Sequence, residues 1–371
     1  MNLDGAENAK AEVFLRAFKY SEIVSPLSDE DDQPIFVASP GTEAHHDIIM
    51  ARRNKTFDPK EQIAVGIVKS NDRSQSDGDL KLGIFIQRRR LIHHPVVEAA
   101  MRIAGNEARV IVTGPVRRQA PANTGHCRPL RMGASVGHHR VTAGTIGCFG
   151  VSRNGGGIGI LSNNHVLANT NRGVRGDIVL QPGRLDGGPR RGSVNQVATL
   201  HEYVPIDFTP DAANLVDCAF ALLSEGIGCD GCTMDVLSTS PRAWTIGEPE
   251  DLIFDDVPVQ KVGRTTGFTE GTVEAVGVNN VKVQMIGGPR PKYALFNQQV
   301  AVAGISETFS KGGDSGSLIC SRDGRPVALL FAGTKTGGRH GRGITYANPI
   351  QTVLNSLEID IYTGGEGADH G

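Results

Sequence analysis

Three short segments of this 371-residue chain carry side chains suited to nucleophilic catalysis. His165 lies in ILSNNHVLA, directly after an apolar stretch. Asp217 lies inside the apolar run NLVDCAFALL, where a buried carboxylate needs a hydrogen-bonded or charged partner such as an imidazole. Ser315 lies in SKGGDSGSLIC, between glycines and ahead of an apolar run. Taken singly, the histidine also fits an ordinary strand end, and the glycine-rich segment also fits an ordinary turn.

The chemistry that these three residue types support together is acyl transfer. A serine hydroxyl attacks a carbonyl when an imidazole removes its proton, and a carboxylate holds that imidazole in place. A glycine-rich backbone around the serine lets N–H groups converge on a developing oxyanion. The order of His, Asp and Ser, each beside a strand-like run, predicts that residues 165, 217 and 315 meet at one site.

Composition and cysteine content argue against several other classes of function. The 38 basic and 40 acidic residues nearly balance, which argues against a polyphosphate-binding surface. No apolar run approaches the ~18 residues of a membrane span, and no export signal is visible, so neither a nucleic acid nor a membrane is expected as a partner. Six cysteines are too few for a disulfide scaffold, which predicts reduced thiols and a cytoplasmic location. Cys229-x-x-Cys232 lacks two further ligands nearby, so no metal or cofactor is expected.

The elements that must position these residues are mostly short strands. From about residue 140, brief apolar runs alternate with glycine-containing turns, which predicts an all-β sandwich or barrel. Only the run at 348–357 has helical spacing in that part. Farther upstream, two β-branched runs, a helical pattern at 95–104 and a run at 108–112 predict a small β-β-α-β unit.

The three motifs resemble those of the chymotrypsin-type (trypsin-like) serine proteases. NNHVLA is similar to the family's histidine motif, VDCAFALL to its aspartate strand and GGDSGS to its serine motif. Within this family, the chain is most similar to intracellular bacterial trypsin-like peptidases and plant narrow-leaf-type proteases in the segments LSNNHVLANTN, GDIVLQPG and VGRTTGFTEG. Those proteins also carry a small α/β segment ahead of the barrels. The resemblance covers residues from about 140 to 357.

The resemblance implies a mainly β fold with two six-stranded antiparallel β-barrels, preceded by the small α/β unit and followed by a short C-terminal helix. The predicted division is an N-terminal helix and weakly ordered linker at 1–60, the small unit at 61–114, a connector at 115–139, a first barrel at 140–245, a second barrel with the C-terminal helix at 246–360 and a disordered tail at 361–371.

The resemblance also implies an intracellular serine endopeptidase that acts on protein or peptide substrates. Ser315 is then the nucleophile, His165 the general base and Asp217 the orienting acid, and the N–H groups of Gly313 and Ser315 form the oxyanion hole. Substrate-pocket candidates are Phe309, six residues before the serine, and Phe331 and Gly333 on the following strand. These uncharged residues predict a neutral or apolar residue before the cleaved bond.

Several alternatives stay open at this point. The chain is either a protease, a catalytically silent scaffold that binds a protein partner, or an esterase or acyltransferase with the same triad. Asp314 pairs either with a new N-terminus made by cleavage, for example after Arg131, or with internal groups. The N-terminal unit is a candidate for homo-oligomer formation. His138 and His139 are interpreted as surface or loop residues, and 265–267 as a hairpin turn.

Overall fold

The computed structural model describes residues 1–23, 35–53, 59–70, 80–105, 107–114, 123–188, 193–210, 212–234, 244–250, 256–338 and 341–364. The predicted acidic stretch at 29–32, the first part of the connector at 115–122, His340 and the end of the tail at 365–371 lie outside these residues. No helix in these ranges is both long enough and apolar enough to cross a lipid bilayer.

The N-terminal region packs around a group of aromatic side chains. Its elements are α1 (Leu3–Glu12), which continues into a π-helical turn (Val13–Phe18), β1 (Ser21–Ile23), β2 (Ile35–Val37) and α2 (Glu43–Arg53). Phe14 stacks on Phe36 with ring centroids 5.3 Å apart, and Phe18 and Tyr20 adjoin them. These buried rings form part of an apolar cluster. The weakly ordered linker expected within 1–60 stays a prediction.

The predicted β-β-α-β elements are present. They are a 3₁₀ turn (Pro59–Gln62), β3 (Ile63–Lys69), β4 (Leu80–Ile86), a second 3₁₀ turn (Arg89–His93), α3 (Pro95–Ile103) and β5 (Ala108–Val112). β3 and β4 are antiparallel, whereas β4 and β5 are parallel and are joined through α3. His94 caps α3, and Pro95 occupies the first turn, where its missing N–H costs nothing.

The first half of the β-rich region spans residues 130–223. Its elements are β6 (Leu130–Arg131), β7 (Ser135–His138), β8 (Gly144–Thr145), β9 (Cys148–Ser152), β10 (Ile158–Ser162), α4 (Asn164–Leu167), β11 (Ile178–Leu180), two 3₁₀ turns (Arg184–Asp186 and Ser193–Asn195), β12 (Gln196–Tyr203) and β13 (Ala219–Leu223). The strand order is β9-β10-β13-β12-β11-β7-β8. β7 therefore belongs to the sheet although the prediction placed 135–138 in the connector, because its sequence SVGH lacks an apolar run.

Three short strands follow, and then the second half closes into a barrel. These elements are β14 (Cys229–Asp230), β15 (Thr233–Met234), β16 (Trp244–Thr245), β17 (Pro258–Gly263), β18 (Gly267–Asn279), β19 (Val281–Ile286), β20 (Lys292–Phe296), β21 (Gln299–Gly304), β22 (Leu318–Ser321), β23 (Pro326–Gly333), β24 (Ile344–Pro349), α5 (Ile350–Leu357) and β25 (Ile359–Ile361). The order β17-β22-β23-β24-β21-β18 returns to β17 through a β17–β18 ladder. The predicted C-terminal helix is α5.

The prediction of two closed barrels is confirmed for the second and wrong for the first. Among the described residues, no ladder joins β8 to β9, so the first half is a half-barrel. The physical reason is that β8 and β9 are consecutive parts of one stretch of chain, separated only by Ile146 and Gly147, and so cannot pair with each other. The N–H of Ile146 donates to the Ala134 carbonyl and that of Gly147 to the Leu161 carbonyl, so this stretch pairs with β7 at its start and with β10 at its end. The fold is mainly β and chymotrypsin-like, with one closed six-stranded barrel, one half-barrel and a short C-terminal helix.

Two connections cross the predicted domain limits. β3 pairs with β18, so the small unit extends the second barrel into a nine-stranded sheet. β25 pairs with β9, so the strand after α5 joins the first half. Each half therefore carries a strand that comes from a distant part of the sequence.

Candidate active site

His165 and Asp217 are brought together by neighbouring strands. β10 and β13 are antiparallel with Ser162 opposite Ala219, so the end of β10 adjoins the start of β13. His165 follows in α4, and Asp217 precedes β13. His165 Nδ1 and Asp217 Oδ2 lie 2.5 Å apart, and the His165 backbone N–H donates to Asp217 Oδ1 at 3.2 Å. The structure thus brings His165 and Asp217 into contact, and their catalytic roles stay a prediction.

Asparagines that the sequence analysis missed hold the aspartate segment. The Asp217 N–H donates to Asn348 Oδ1 at 2.9 Å, and Asn163 Nδ2 donates to the Asp217 carbonyl at 2.7 Å. Asn348 lies on β24 of the closed barrel and also donates to Gln299 Oε1 at 2.6 Å. The backbone of the wholly buried Asp217 is thus held from both halves. The doubled asparagine before the histidine in NNHVLA is the sequence signal that could have revealed Asn163.

The contacts of His165 determine its tautomer. Because the carboxylate only accepts, Nδ1 carries the proton and Nε2 presents a lone pair. Nε2 is buried and makes no hydrogen bond in the described structure. His165 therefore has an oriented and unused proton acceptor.

Ser315 lies where the two halves meet. The Thr145 N–H donates to the Ser315 carbonyl at 2.8 Å, and a Cβ on Gly316 would lie 2.1 Å from Ser162 Oγ, at the end of β10. The Ser315 hydroxyl itself lies 3.5 Å from the Phe331 carbonyl. The structure thus brings Ser315 beside the strand that leads to His165 but does not close a hydrogen bond from its hydroxyl to Nε2. Catalytic contacts are often loose without substrate and tighten when it binds.

The backbone around Ser315 offers two unused donors. The N–H groups of Gly313 and Ser315 donate to no protein acceptor in the described part of the chain. Thr265 Oγ1 donates to the Gly312 carbonyl at 2.8 Å, and the two groups are buried. Because C=O and N–H of a trans peptide point in opposite directions, this bond turns the Gly313 N–H away from the Thr265 side. Two free, fixed N–H groups are what an oxyanion hole requires.

Asp314 finds internal partners. Its Oδ1 accepts the N–H groups of Thr265 at 2.7 Å and Thr266 at 3.1 Å. Its Oδ2 accepts the Lys311 N–H at 2.7 Å and the Thr266 hydroxyl at 2.8 Å, and Lys261 Nζ lies 3.7 Å away. Burial lowers the pKa of Lys261, an effect that the nearby Asp314 opposes. Of the two alternatives for Asp314, the contacts favour the internal one, and the turn predicted at 265–267 is present between β17 and β18.

The predicted pocket residues belong to the second half, and the two phenylalanines are buried in different apolar clusters. Phe309 is 1 % exposed and packs in an apolar cluster, and Lys261 Nζ lies 5.6 Å from its ring centroid. Phe331 is also buried, with its ring 4.7 Å from that of Phe296, so its carbonyl rather than its side chain faces Ser315. A Cβ on Gly333 would lie 3.1 Å from Ser310 Oγ. Their role in substrate binding stays a prediction.

One histidine differs from its predicted surface position. His138 is fully buried on β7, and its Nε2 lies 2.9 Å from Asp177 Oδ2. His138, His139 and Asp177 each offer one atom that could bind a metal ion, and these three atoms lie within 4.8 Å of one another. However, the Arg140 N–H donates to His138 Nδ1 at 3.1 Å, which leaves the proton on Nε2. That nitrogen has no lone pair for a metal, so the group fits a hydrogen-bonded His–Asp pair better than a cation site.

The chain has distant counterparts among solved structures. No protein-family model and no curated protein matches it. Among solved structures, it is similar to Thermobifida fusca protease A (16 % identity, TM-score 0.43), Cellulomonas bogoriensis chymotrypsin (15 %, 0.42) and Nocardiopsis protease (17 %, 0.44). Each match covers 63 % of this chain and 99 % of the other. Because these sequence identities and TM-scores are low, the assignment of a chymotrypsin-like fold rests on the strand connectivity described above.

Proposed function

We propose that this chain is a serine endopeptidase that cleaves peptide bonds through an acyl-enzyme intermediate. The observation that carries the proposal is the buried His165–Asp217 pair, whose free Nε2 lies at the junction that also holds Ser315. The two unused N–H groups of Gly313 and Ser315 support it. A buried ionisable pair beside a hydroxyl is the arrangement that activates a serine nucleophile.

The reaction then follows from these groups. Ser315 Oγ bonds to the substrate carbonyl carbon while its proton moves to His165 Nε2, and the carbonyl oxygen gains negative charge that the two N–H groups bind. The C–N bond breaks as Nε2 returns the proton to the leaving amine. Water repeats the sequence on the ester and releases the acid. Asp217 keeps the imidazole oriented and stabilises its positive charge without taking the proton.

The proposal also covers the residue preference at the cleaved bond, the cellular location and the class of substrate. The uncharged pocket candidates support cleavage after a neutral or apolar residue. Six cysteines in 371 residues are too few for a disulfide scaffold, which supports a reducing compartment such as the cytoplasm. The substrate is a protein or peptide.

A fluorophosphonate probe and a peptide-library digest test the proposal. We expect the probe to label Ser315, and we expect Ser315→Ala to lose labelling and about 10⁴-fold or more in kcat while it keeps the wild-type thermal unfolding curve. Ser317→Ala is the matched control, since Ser317 lies two residues away and its hydroxyl donates to the Asp314 carbonyl. Full cleavage by Ser315→Ala would contradict the assignment.

The catalytically silent scaffold is the second candidate. One observation favours it, namely that the Ser315 hydroxyl faces the Phe331 carbonyl instead of Nε2. A folded wild-type chain that neither reacts with the probe nor cleaves any peptide would support the scaffold. Parallel assays on matched peptide and ester substrates would reveal an esterase, which would turn over only the esters.

A further inference from the structure

The small unit is built into the wall of the closed barrel. β3 pairs with β18, so the two sheets are continuous. The unit also shares an apolar cluster with Phe331 and Ala332 on β23. Its four buried members in that cluster are Ala64, Val68, Phe85 and Ile111. The unit and β23 therefore contribute side chains to the same apolar cluster.

The end of β5 holds the segment that follows β23. The Gly338 N–H donates to the Val112 carbonyl at 2.8 Å. A Cβ on Gly337, whose φ is +91°, would lie 2.1 Å from that same carbonyl oxygen. A Cβ on Gly114, whose φ is +75°, would lie 2.9 Å from the Thr336 carbonyl oxygen. The two backbones thus touch at three points, and glycine at each side permits the approach.

The 334–338 segment is also anchored in the barrel at its other end. The Thr334 N–H donates to the Ile344 carbonyl, and the Ile344 N–H donates to Thr334 Oγ1, both at 2.8 Å. The segment continues directly from Gly333, and the Phe331 carbonyl lies 3.5 Å from Ser315 Oγ. A displacement of 334–338 therefore acts on the strand that borders the candidate nucleophile.

We propose that the unit of residues 61–114 is a positioning element for substrate recognition. β5 fixes the 334–338 segment, and this segment fixes the adjoining wall of residues 331–333. The inference rests on the proposed function, because the wall matters only if a substrate lies against it. Misplacement of a positioning group by about 1 Å can cost about a hundredfold in rate, so a loosened wall should be measurable.

Two pairs of glycine variants test the contact. Gly337→Ala forces a Cβ into β5, whereas Gly341→Ala, with φ +70°, has nothing within 4 Å of its Cβ. Gly114→Ala approaches the same contact from the side of the unit. Its control is Gly105→Ala, with φ +58° and open space. All four substitutions carry the strain of a positive φ, so only the contact differs within each pair.

Two kinds of measurement distinguish an effect on substrate recognition from an effect on the reactivity of the nucleophile. We measure KM and kcat on peptides that differ in the residue before the cleaved bond, and the rate of fluorophosphonate labelling. Gly337→Ala and Gly114→Ala should raise KM about tenfold and change the ranking of the peptides, with labelling within about threefold of wild type. Gly341→Ala and Gly105→Ala should keep the wild-type KM and ranking.

The outcomes distinguish the two proposals. A wild-type chain without labelling or cleavage overturns the proposed function. A cleaving wild type together with equal KM and ranking for Gly337→Ala and Gly341→Ala overturns the positioning role. Loss of labelling in folded Gly337→Ala overturns it as well, since the effect would then fall on the nucleophile. If Gly337→Ala does not fold, the Gly114 and Gly105 pair decides.

Discussion

The hydroxyl of Thr265 controls the orientation of one peptide group beside the candidate nucleophile. It donates to the Gly312 carbonyl, and the peptide between Gly312 and Gly313 supplies one of the two free N–H groups. Gly313 has a φ of +95°, so local sterics alone do not fix this peptide. The buried hydroxyl–carbonyl bond therefore limits rotation of this peptide and keeps the Gly313 N–H pointing away from Thr265.

Thr265→Val should impair turnover more than stability. The substitution keeps the side-chain shape but leaves the Gly312 carbonyl without its donor, so the peptide can turn and withdraw the Gly313 N–H. We expect kcat to fall about tenfold to a hundredfold, somewhat less than the cost of about 10²–10³ for deleting an oxyanion donor. Steady-state kinetics on one peptide would measure this.

Thr269→Val is the matched control for that prediction. Thr269 is also buried, and its hydroxyl donates to the Phe309 carbonyl at 2.7 Å, three residues before Gly312. Both variants should lose about 1 kcal/mol of unfolding free energy for one hydrogen bond. Only Thr265→Val should lose kcat, and equal losses of kcat in the two variants would contradict the orienting role.

The buried pair of His138 and Asp177 gives the fold a dependence on pH. Burial lowers the pKa of His138, and this effect outweighs the hydrogen bond to Asp177, while the stacked His139 and nearby Arg140 lower it further. Unfolded histidine has a pKa of about 6.5. Between that value and the lower folded pKa, the unfolded chain binds more protons than the folded chain, so acidification favours unfolding.

Urea unfolding of wild type and His138→Gln at several pH values between about 7.5 and 5.5 tests this linkage. The free energy of unfolding of wild type should fall as the pH drops through the unfolded pKa. Glutamine keeps a donor for Asp177 but does not titrate, so the variant should show a shallower decline. Parallel curves for the two proteins would show that His138 is not the group responsible.

At the scale of elements, strand ends determine where the chemistry can occur. β10 and β13 deliver His165 and Asp217 from one half, and the turn after β17 holds Asp314 and the Gly312 carbonyl in the other. Thr145 on β8 joins the halves, since its hydroxyl donates to the Gly313 carbonyl at 2.6 Å. The site therefore depends on how the two halves are docked, more than on either half alone.

Elements with local signals could be predicted from the sequence, and elements that depend on distant pairing could not. The β-branched runs that became β3 and β4 and the helical spacing of α3 are local patterns. The pairing of β3 with β18 joins residues far apart in the chain, and the sequence of neither strand indicates that the other is its partner. The change of pairing partner from β7 to β10 occurs at Ile146 and Gly147, and no apolar pattern in the sequence indicates it.

The same division holds within the candidate site. His165, Asp217 and Ser315 lie in short motifs whose residue types indicate nucleophilic catalysis. Asn348 and Thr265 act through single hydrogen bonds across the fold, and an isolated asparagine or threonine carries no such signal. His138 was misjudged because its carboxylate partner is 39 residues away in sequence.

For the whole molecule, the internal contacts of Asp314 have a consequence for activation. Its oxygens already accept three backbone N–H groups and one hydroxyl, with Lys261 as the nearby cation. A new N-terminal amine would have to displace these partners. Arg131, the suggested cleavage position, lies in β6, which pairs with β14. Cleavage there would therefore break existing structure without supplying a missing contact.

We therefore expect the uncut chain to be the reactive species. Intact-mass spectrometry after fluorophosphonate labelling should show the 371-residue chain plus one probe, with no shorter labelled product. Arg131→Gln, which removes the suggested cleavage position, should label at the wild-type rate. A labelled product that begins after Arg131, together with an unreactive Arg131→Gln protein, would contradict this expectation. In that case the internal partners of Asp314 would describe a precursor, and the amine released by cleavage would have to replace them.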